Sequence, residues 1–268
     1  MSELGTRTLV AVGLLAILAL IVWLGGWFQA AALTFFSVLA VIEMSRMFKK
    51  KEIKICLPPL FMIAGLQYVL LFQLPKYLPA LYIACFLWVV IDRIVAPERK
   101  TEDTIATVFT MVYPLSLLLC FGFFGFDRTD VSRAALLMVF AGPSMADNNA
   151  YLFGRNFGKH KLCPKISPNK TVEGYIAGLV GGPIGGVIVY FLQKLWGLDI
   201  HWGWLVGLGL VGAVIGQFGD LFASTFKRWA GIKDFGSIFP GHGGIVDRLD
   251  SAMVFAPVVA AVFAYFIR

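Results

Sequence analysis

Apolar residues fill the chain in long runs, broken at intervals by short polar segments. A helix rises about 1.5 Å per residue, so roughly 20 apolar residues cross about 30 Å of bilayer hydrocarbon. Runs of that length predict nine helices, over 9–27, 29–46, 56–73, 78–94, 104–125, 134–154, 173–196, 203–224 and 250–267. The first follows Arg7 but is long and lacks a small-x-small cleavage site, which makes it a retained span and not a secretion signal. No soluble-sized insert separates the runs. The expectation is one all-α, polytopic membrane domain over 1–268, with N-terminal spans in 1–130 and catalytic helices and loops in 131–268.

Composition points the same way. The chain is 59% apolar and 15% charged, with a mean hydropathy of +0.79, whereas soluble domains are about a quarter charged. Cys56, Cys85, Cys120 and Cys163 are too scattered to suggest a disulfide framework or a zinc site. The 23 Lys and Arg exceed the 16 Asp and Glu, yet no soluble basic surface with interleaved aromatics accompanies them, which excludes nucleic acid as a partner. Their distribution explains them better. With the N-terminus cytoplasmic, all of them fall in cytoplasmic segments except Lys76, Arg128, Arg133, Lys194 and Arg268. The positive-inside rule selects that orientation and places the C-terminus outside.

Carboxylates in membrane helices are costly and mark function by default. Glu43, Asp92, Asp147, Asp220 and Asp247 lie near predicted cytoplasmic helix ends. Glu43 near Arg46 and Asp92 beside Arg93 fit simple charge pairing. Asp220 ends the run Gly212-x3-Gly216-x3-Asp220, which puts the acid on a glycine-lined face turned into the bundle; the preceding helix offers a matching column, Gly174, Gly178, Gly182 and Gly186. Ser144, Asp147 and Tyr151 share another face beside Asn148 and Asn149, as expected of a wet cavity.

The densest chemistry lies between Ser224 and Asp250. Gly236, Gly241, Gly243 and Gly244 free the backbone to turn amides toward an anion, and Lys227, Arg228, Lys233 and Arg248 add positive charge. Asp234, Asp247 and Asp250 cannot serve a bare anion. Together with Asp220 they suit a hard, oxygen-ligated cation that bridges carboxylates to phosphate, the usual role of Mg2+.

The K-R-x4-K-D-x-G, P-G-H-G-G and D-R-x-D elements of this run closely resemble the phosphatidate cytidylyltransferases, also called CDP-diacylglycerol synthases. The resemblance extends upstream through Gly219-Asp220-Leu221, Ser167-Pro-Asn-Lys-Thr-Val-Glu-Gly174, Phe157 to Leu162 and Asp147-x2-Ala-Tyr151, and so covers roughly the C-terminal half. It departs from the family pattern at Ala223, where members often carry a glutamate, at Phe235, often a serine, and at Ser144, commonly a tryptophan. The resemblance implies transfer of CMP from CTP to phosphatidate, giving CDP-diacylglycerol and pyrophosphate. It also implies Mg2+, which a monovalent cation such as K+ can accompany, a homodimer, and a multi-pass place in the cell (inner) membrane with the active site facing the cytoplasm.

On that reading Asp220, Asp247 and Asp147 are the metal carboxylates. Lys170, Lys227, Arg228, Lys233 and Arg248 contact phosphate, His242 donates to it, Ser167 belongs to the substrate site, and Gly243 and Gly244 shape the loop. Two other readings share the setting. A CTP-dependent lipid kinase of the polyprenol or phytol type would release CDP and a phospholipid, and an ion or phosphate transporter would move substrate without consuming CTP.

Overall fold

The computed structural model describes residues 3–125, 129–239, 241 and 243–266. Arg128, His242 and Arg268, used above for topology or chemistry, lie outside the described residues. The described chain is mostly helical, and helix covers most of each of the nine apolar runs. Five helical segments, Gly26–Lys49, Pro75–Val95, Thr101–Gly122, Val172–Trp196 and Trp202–Ala230, are long and apolar enough to cross a bilayer. This is a helical membrane protein. Its chain contacts define two units, one of Met1–Phe126 with Trp229–Arg248 and one of Asp127–Arg228 with Leu249–Arg268.

The first unit contains α1 (Glu3–Leu24), α2 (Gly26–Lys49), α3 (Leu57–Gln73), α4 (Leu78–Val95), α5 (Thr101–Thr110) and α6 (Leu117–Gly122). Prolines in the first turns of α3 and α4 fix φ where no intrahelical N–H bond is lost. Buried polar side chains between these helices satisfy one another: Gln67 Nε2 donates to Ser37 Oγ at 3.1 Å, Ser37 Oγ lies 3.2 Å from Tyr68 OH, and Tyr82 OH donates to Gln67 Oε1 at 2.8 Å. Asp103 joins a connecting segment to a helix start, since its Oδ2 accepts from Lys100 N at 3.0 Å and its Oδ1 from Lys54 N at 2.7 Å. Cys56 is buried, as suits a packing residue.

The helix expected over 104–125 is broken. A π-helical turn, Met111–Ser116, separates α5 from α6, and within it Tyr113 is extended, with φ −120° and ψ 110°. Pro114 is the reason: it has no N–H to give and its ring drives the preceding residue out of helical geometry.

The second unit holds α7 (Asp130–Phe157), an antiparallel hairpin of β1 (Lys161–Cys163) and β2 (Ser167–Thr171), α8 (Val172–Gln193), and most of α9 (Trp202–Ala230) and α10 (Ile245–Phe266). Thr129 and Thr171 cap α7 and α8 by accepting from Ser132 N at 3.2 Å and Gly174 N at 3.1 Å. The glycines of α8 serve two neighbours. A Cβ on Gly181 or Gly185 would strike the Met145 or Ala141 carbonyl of α7, and one on Gly182 or Gly186 would strike the Gly209 or Leu205 carbonyl of α9. The Gly212 and Gly216 column of α9 does not meet α8 as expected. Gly212 packs on Phe255 of α10 and Gly216 on Pro143 of α7, so three helices close around α9.

Candidate active site

Chemistry-bearing residues gather in each unit. In the first, the glycine-rich loop runs into α10. The N-terminal turn of a helix leaves backbone N–H groups without intrahelical acceptors. Here Asp247, in the first turn, reaches back: its Oδ2 accepts from Gly244 N at 2.9 Å and also from Phe235 N at 2.7 Å. Glu43 of α2 supplies the rest. Its Oε1 accepts from Ile245 N at 2.9 Å and its Oε2 from Val246 N at 3.0 Å. The expected pairing of Glu43 with Arg46 is therefore corrected: Glu43 is fully buried against the α10 terminus, and Arg46 is exposed one turn further on. Asp92 likewise pairs with Arg99 at 2.9 Å.

Gly243 has φ +79°, a left-handed conformation in which a Cβ would also press on Asp247 Oδ2. Lys233, Asp234 and Arg248 are exposed. Arg46, Lys50, Asp234, Phe235 and Ser237 line a cavity of about 350 Å³. The loop entrance is anchored by Trp229, whose ring packs edge-on to Phe48 at 6.0 Å between centroids and lies 5.7 Å below Lys51 Nζ.

In the second unit the acids Asp147 (α7), Asp220 (α9) and Asp250 (α10) converge. Ser251 Oγ lies 3.5 Å from both Asp147 Oδ2 and Asp250 Oδ1. Asp250 is buried, its Oδ1 also accepts from Ser251 N at 2.7 Å, and its carboxylate feels the charges of Asp220, Lys227 and Asp147. Lys227 is buried too. Lys170 of β2 reaches Asp220, with Nζ 2.6 Å from Oδ2, while Ser224 Oγ donates to Asp220 Oδ1 at 3.4 Å. Ala223 stands fully buried one turn after Asp220.

Beside these acids opens a cavity of about 480 Å³ lined by Asp147, Tyr151, Arg155, Lys161, Asn169 and Lys170 among others. Arg228 does not line it. Its Nε donates to Ile166 O at 3.1 Å and so braces the hairpin turn. Ser167, at the start of β2, is outside the lining as well. Glu173 secures the approach to β1 by accepting from Lys159 N at 3.1 Å and from His160 N at 3.2 Å.

The sequence brought Asp147, Lys170, Asp220 and Lys227 forward, and it grouped Asp250 of the D-R-x-D element with Asp220 as a carboxylate for a cation. Arg155 and Lys161 had been absorbed into the count of topology-setting charges, and the bond made by Glu43 left no local trace.

The model of the cytidylyltransferase family matches residues 5–266. The chain belongs to the cytidylyltransferase family. As a member, it is 45% identical over 126 residues to the phosphatidate cytidylyltransferase of Staphylococcus aureus (strain COL), the match covering 46% of each chain. It is 45% identical over 125 residues to that of Staphylococcus haemolyticus (strain JCSC1435), and 44% identical over 126 residues to that of Staphylococcus epidermidis (strain RP62A), again over 46% of each chain. The match spans just under half the length of these relatives.

Proposed function

We propose that this chain transfers CMP from CTP to phosphatidate, forming CDP-diacylglycerol and pyrophosphate. The observation that carries the reading is the cavity lined by Arg155, Lys161, Lys170 and Asp147, with Asp220 paired to Lys170 and Asp250 joined to Asp147 through Ser251, in a chain of cytidylyltransferase descent. In the reaction a phosphatidate oxygen attacks the α-phosphorus of CTP. The new P–O bond forms as the bond to the β-phosphate oxygen breaks, and pyrophosphate departs. Phosphatidate needs no obligatory base, because the second pKa of a phosphate monoester is about 6.

Arg155, Lys161 and Lys170 hold the nucleotide's phosphates in this scheme, and Lys227 balances the buried acids. Lys233 and Arg248 are exposed cations for phosphate on the loop side, and Asp247, which the family resemblance makes a metal carboxylate, has Oδ2 engaged by Phe235 N and Gly244 N and serves instead to keep that loop folded. Among the described residues no three acidic, imidazole or thiol side chains form a ready-made metal cage. That suits Mg2+, which keeps several waters and binds through one or two carboxylates together with substrate phosphates. Asp147 and Asp250, both 3.5 Å from the Ser251 hydroxyl, and Asp220, paired with Lys170, offer hard oxygen donors, and one or two of these three carboxylates would hold it. Bound there, Mg2+ would supply positive charge to the phosphate oxygens.

The same reading makes the protein multi-pass through nine spans, with a cytoplasmic N-terminus and site, and a homodimer. Supporting the orientation is the crowding of Lys and Arg into alternate loops. The test is purified protein with α-labelled CTP, phosphatidate and Mg2+. Labelled CDP-lipid with release of pyrophosphate is the expected result. CDP together with a newly phosphorylated lipid would instead make the chain a lipid kinase.

A further inference from the structure

Glu43 belongs to α2, in the half of the chain that carries no motif, yet its carboxylate is the acceptor for the first two amides of α10, Ile245 N at 2.9 Å and Val246 N at 3.0 Å. The side chain is fully buried, with a relative exposure of 0%. Two glycines of the loop close over it: a Cβ on Gly244 would collide with its oxygens, and one on Gly236 would lie 2.5 Å from Oε1. Asp247 holds the same segment from the other side through Gly244 N and Phe235 N. The loop from Phe235 to Asp247 is therefore clamped between two carboxylates 204 residues apart in the chain, as their numbers show. Arg46, one turn beyond Glu43 on α2, and Lys50, just past the helix end, line the cavity whose other wall is Asp234, Phe235 and Ser237. A shift of the Glu43 carboxylate would move that wall and the first turn of α10 together.

We propose that Glu43 is a positioning residue, which sets the glycine-rich loop and the first turn of α10 against the cations at the end of α2, so that the loop's own phosphate-directed cations, Lys233 and Arg248, are presented in one fixed geometry. A glutamate is required and a glutamine is not equivalent, because the amide would turn an NH2 group toward one of two backbone N–H donors. An aspartate falls short by one methylene. The close approach of Gly236 and Gly244 to the same carboxylate explains why the loop needs residues without a Cβ at those two positions. The inference rests on the cytidylyltransfer reading for its activity arm only.

The test compares unaltered protein with Glu43→Gln, Glu43→Asp, Gly244→Ala and the double variant Glu43→Asp/Gly244→Ala. In Glu43→Gln, hydrogen exchange at Ile245 and Val246 should quicken at least about tenfold while α3 and the remainder of α10 keep their protection. The kcat for CDP-lipid formation should fall about 100-fold, the effect of misplacing reacting groups by about 1 Å, with KM for CTP changed less than about threefold. Gly244→Ala should be damaging alone and cost little when added to Glu43→Asp, which vacates the space. Turnover within about threefold of normal despite exposed Ile245 and Val246 amides would overturn the proposal. So would loss of protection throughout the first unit in both Glu43 variants, which would make Glu43 a folding residue only. If unaltered protein makes no CDP-lipid, the functional reading fails, and the exchange data with the double variant still decide whether Glu43 fixes the loop.

Discussion

Lys170 of β2 and Asp220 of α9 are joined by an ion pair of 2.6 Å that links the hairpin to the acidic cluster. The two side chains are 22% and 28% exposed, so the pair contributes at most about 1 kcal/mol to stability. Its value is positional. Lys170→Met and Asp220→Asn should each reduce CDP-lipid formation by about 100-fold or more, and the double variant should be little worse than either single one. Kinetics of the three proteins in detergent, beside their melting temperatures, give the answer; singles whose losses multiply would separate the two residues.

Asp250 is crowded by the charges of Asp147 and Asp220, with Lys227 as counterweight. Removing one of three like charges relieves repulsion that folding must otherwise overcome. Asp250→Asn should therefore melt no lower than unaltered protein while turnover collapses by about 100-fold. A variant that retains activity would remove Asp250 from the chemistry.

Arg155 and Lys161 line the larger of the two cavities. If they hold nucleotide phosphates, Arg155→Ala and Lys161→Ala should raise KM for CTP about tenfold each and leave kcat close to normal. KM for phosphatidate should stay unchanged. A rise for the lipid alone would reassign the cavity to the headgroup.

Stripping divalent ions with a chelator should abolish turnover, and readdition of Mg2+ should restore it. In Asp147→Asn the Mg2+ concentration for half-maximal rate should increase at least about tenfold. Chelator-resistant CDP-lipid formation would separate the acids from any metal.

The α8–α9 contact gives a prediction without chemistry. Gly182→Ala places a methyl group against the Gly209 carbonyl and should cost about 1–3 kcal/mol. Gly207, also in α9, has nothing within 4 Å of where its Cβ would be, so Gly207→Ala should be neutral or stabilising by up to about 1 kcal/mol. Thermal or denaturant unfolding of the two variants supplies the comparison.

Helix positions were legible because apolar runs of bilayer length leave little else for the backbone to do. Pro114 was equally visible, but a proline inside an apolar run can kink a helix or end it, and only packing decides which. Of the two strands, β1 has only three residues, and the five of β2, Ser-Pro-Asn-Lys-Thr, present no apolar/polar alternation to read. Lys170 and Asp220 stood out through motif spacing, and their direct pairing did not. Glu43 was misread because its nearest cation in sequence, Arg46, offered a local explanation, whereas its real partners are backbone amides more than two hundred residues later. Backbone donors look alike in every sequence. Arg228 shows the converse, a cation in a motif whose Nε is engaged by the Ile166 carbonyl.

The glycines of α8 also act as a ruler for length. One residue inserted into a helix turns everything beyond it by about 100°, which would carry Val180 and Ile184 into the places of Gly181 and Gly185, against the Met145 and Ala141 carbonyls of α7. No repacking of a neighbour absorbs such a rotation, since the opposing atoms are main chain. An insertion or deletion within α8 or the facing stretch of α9 should therefore be far more damaging than one of equal length in the connections at either end.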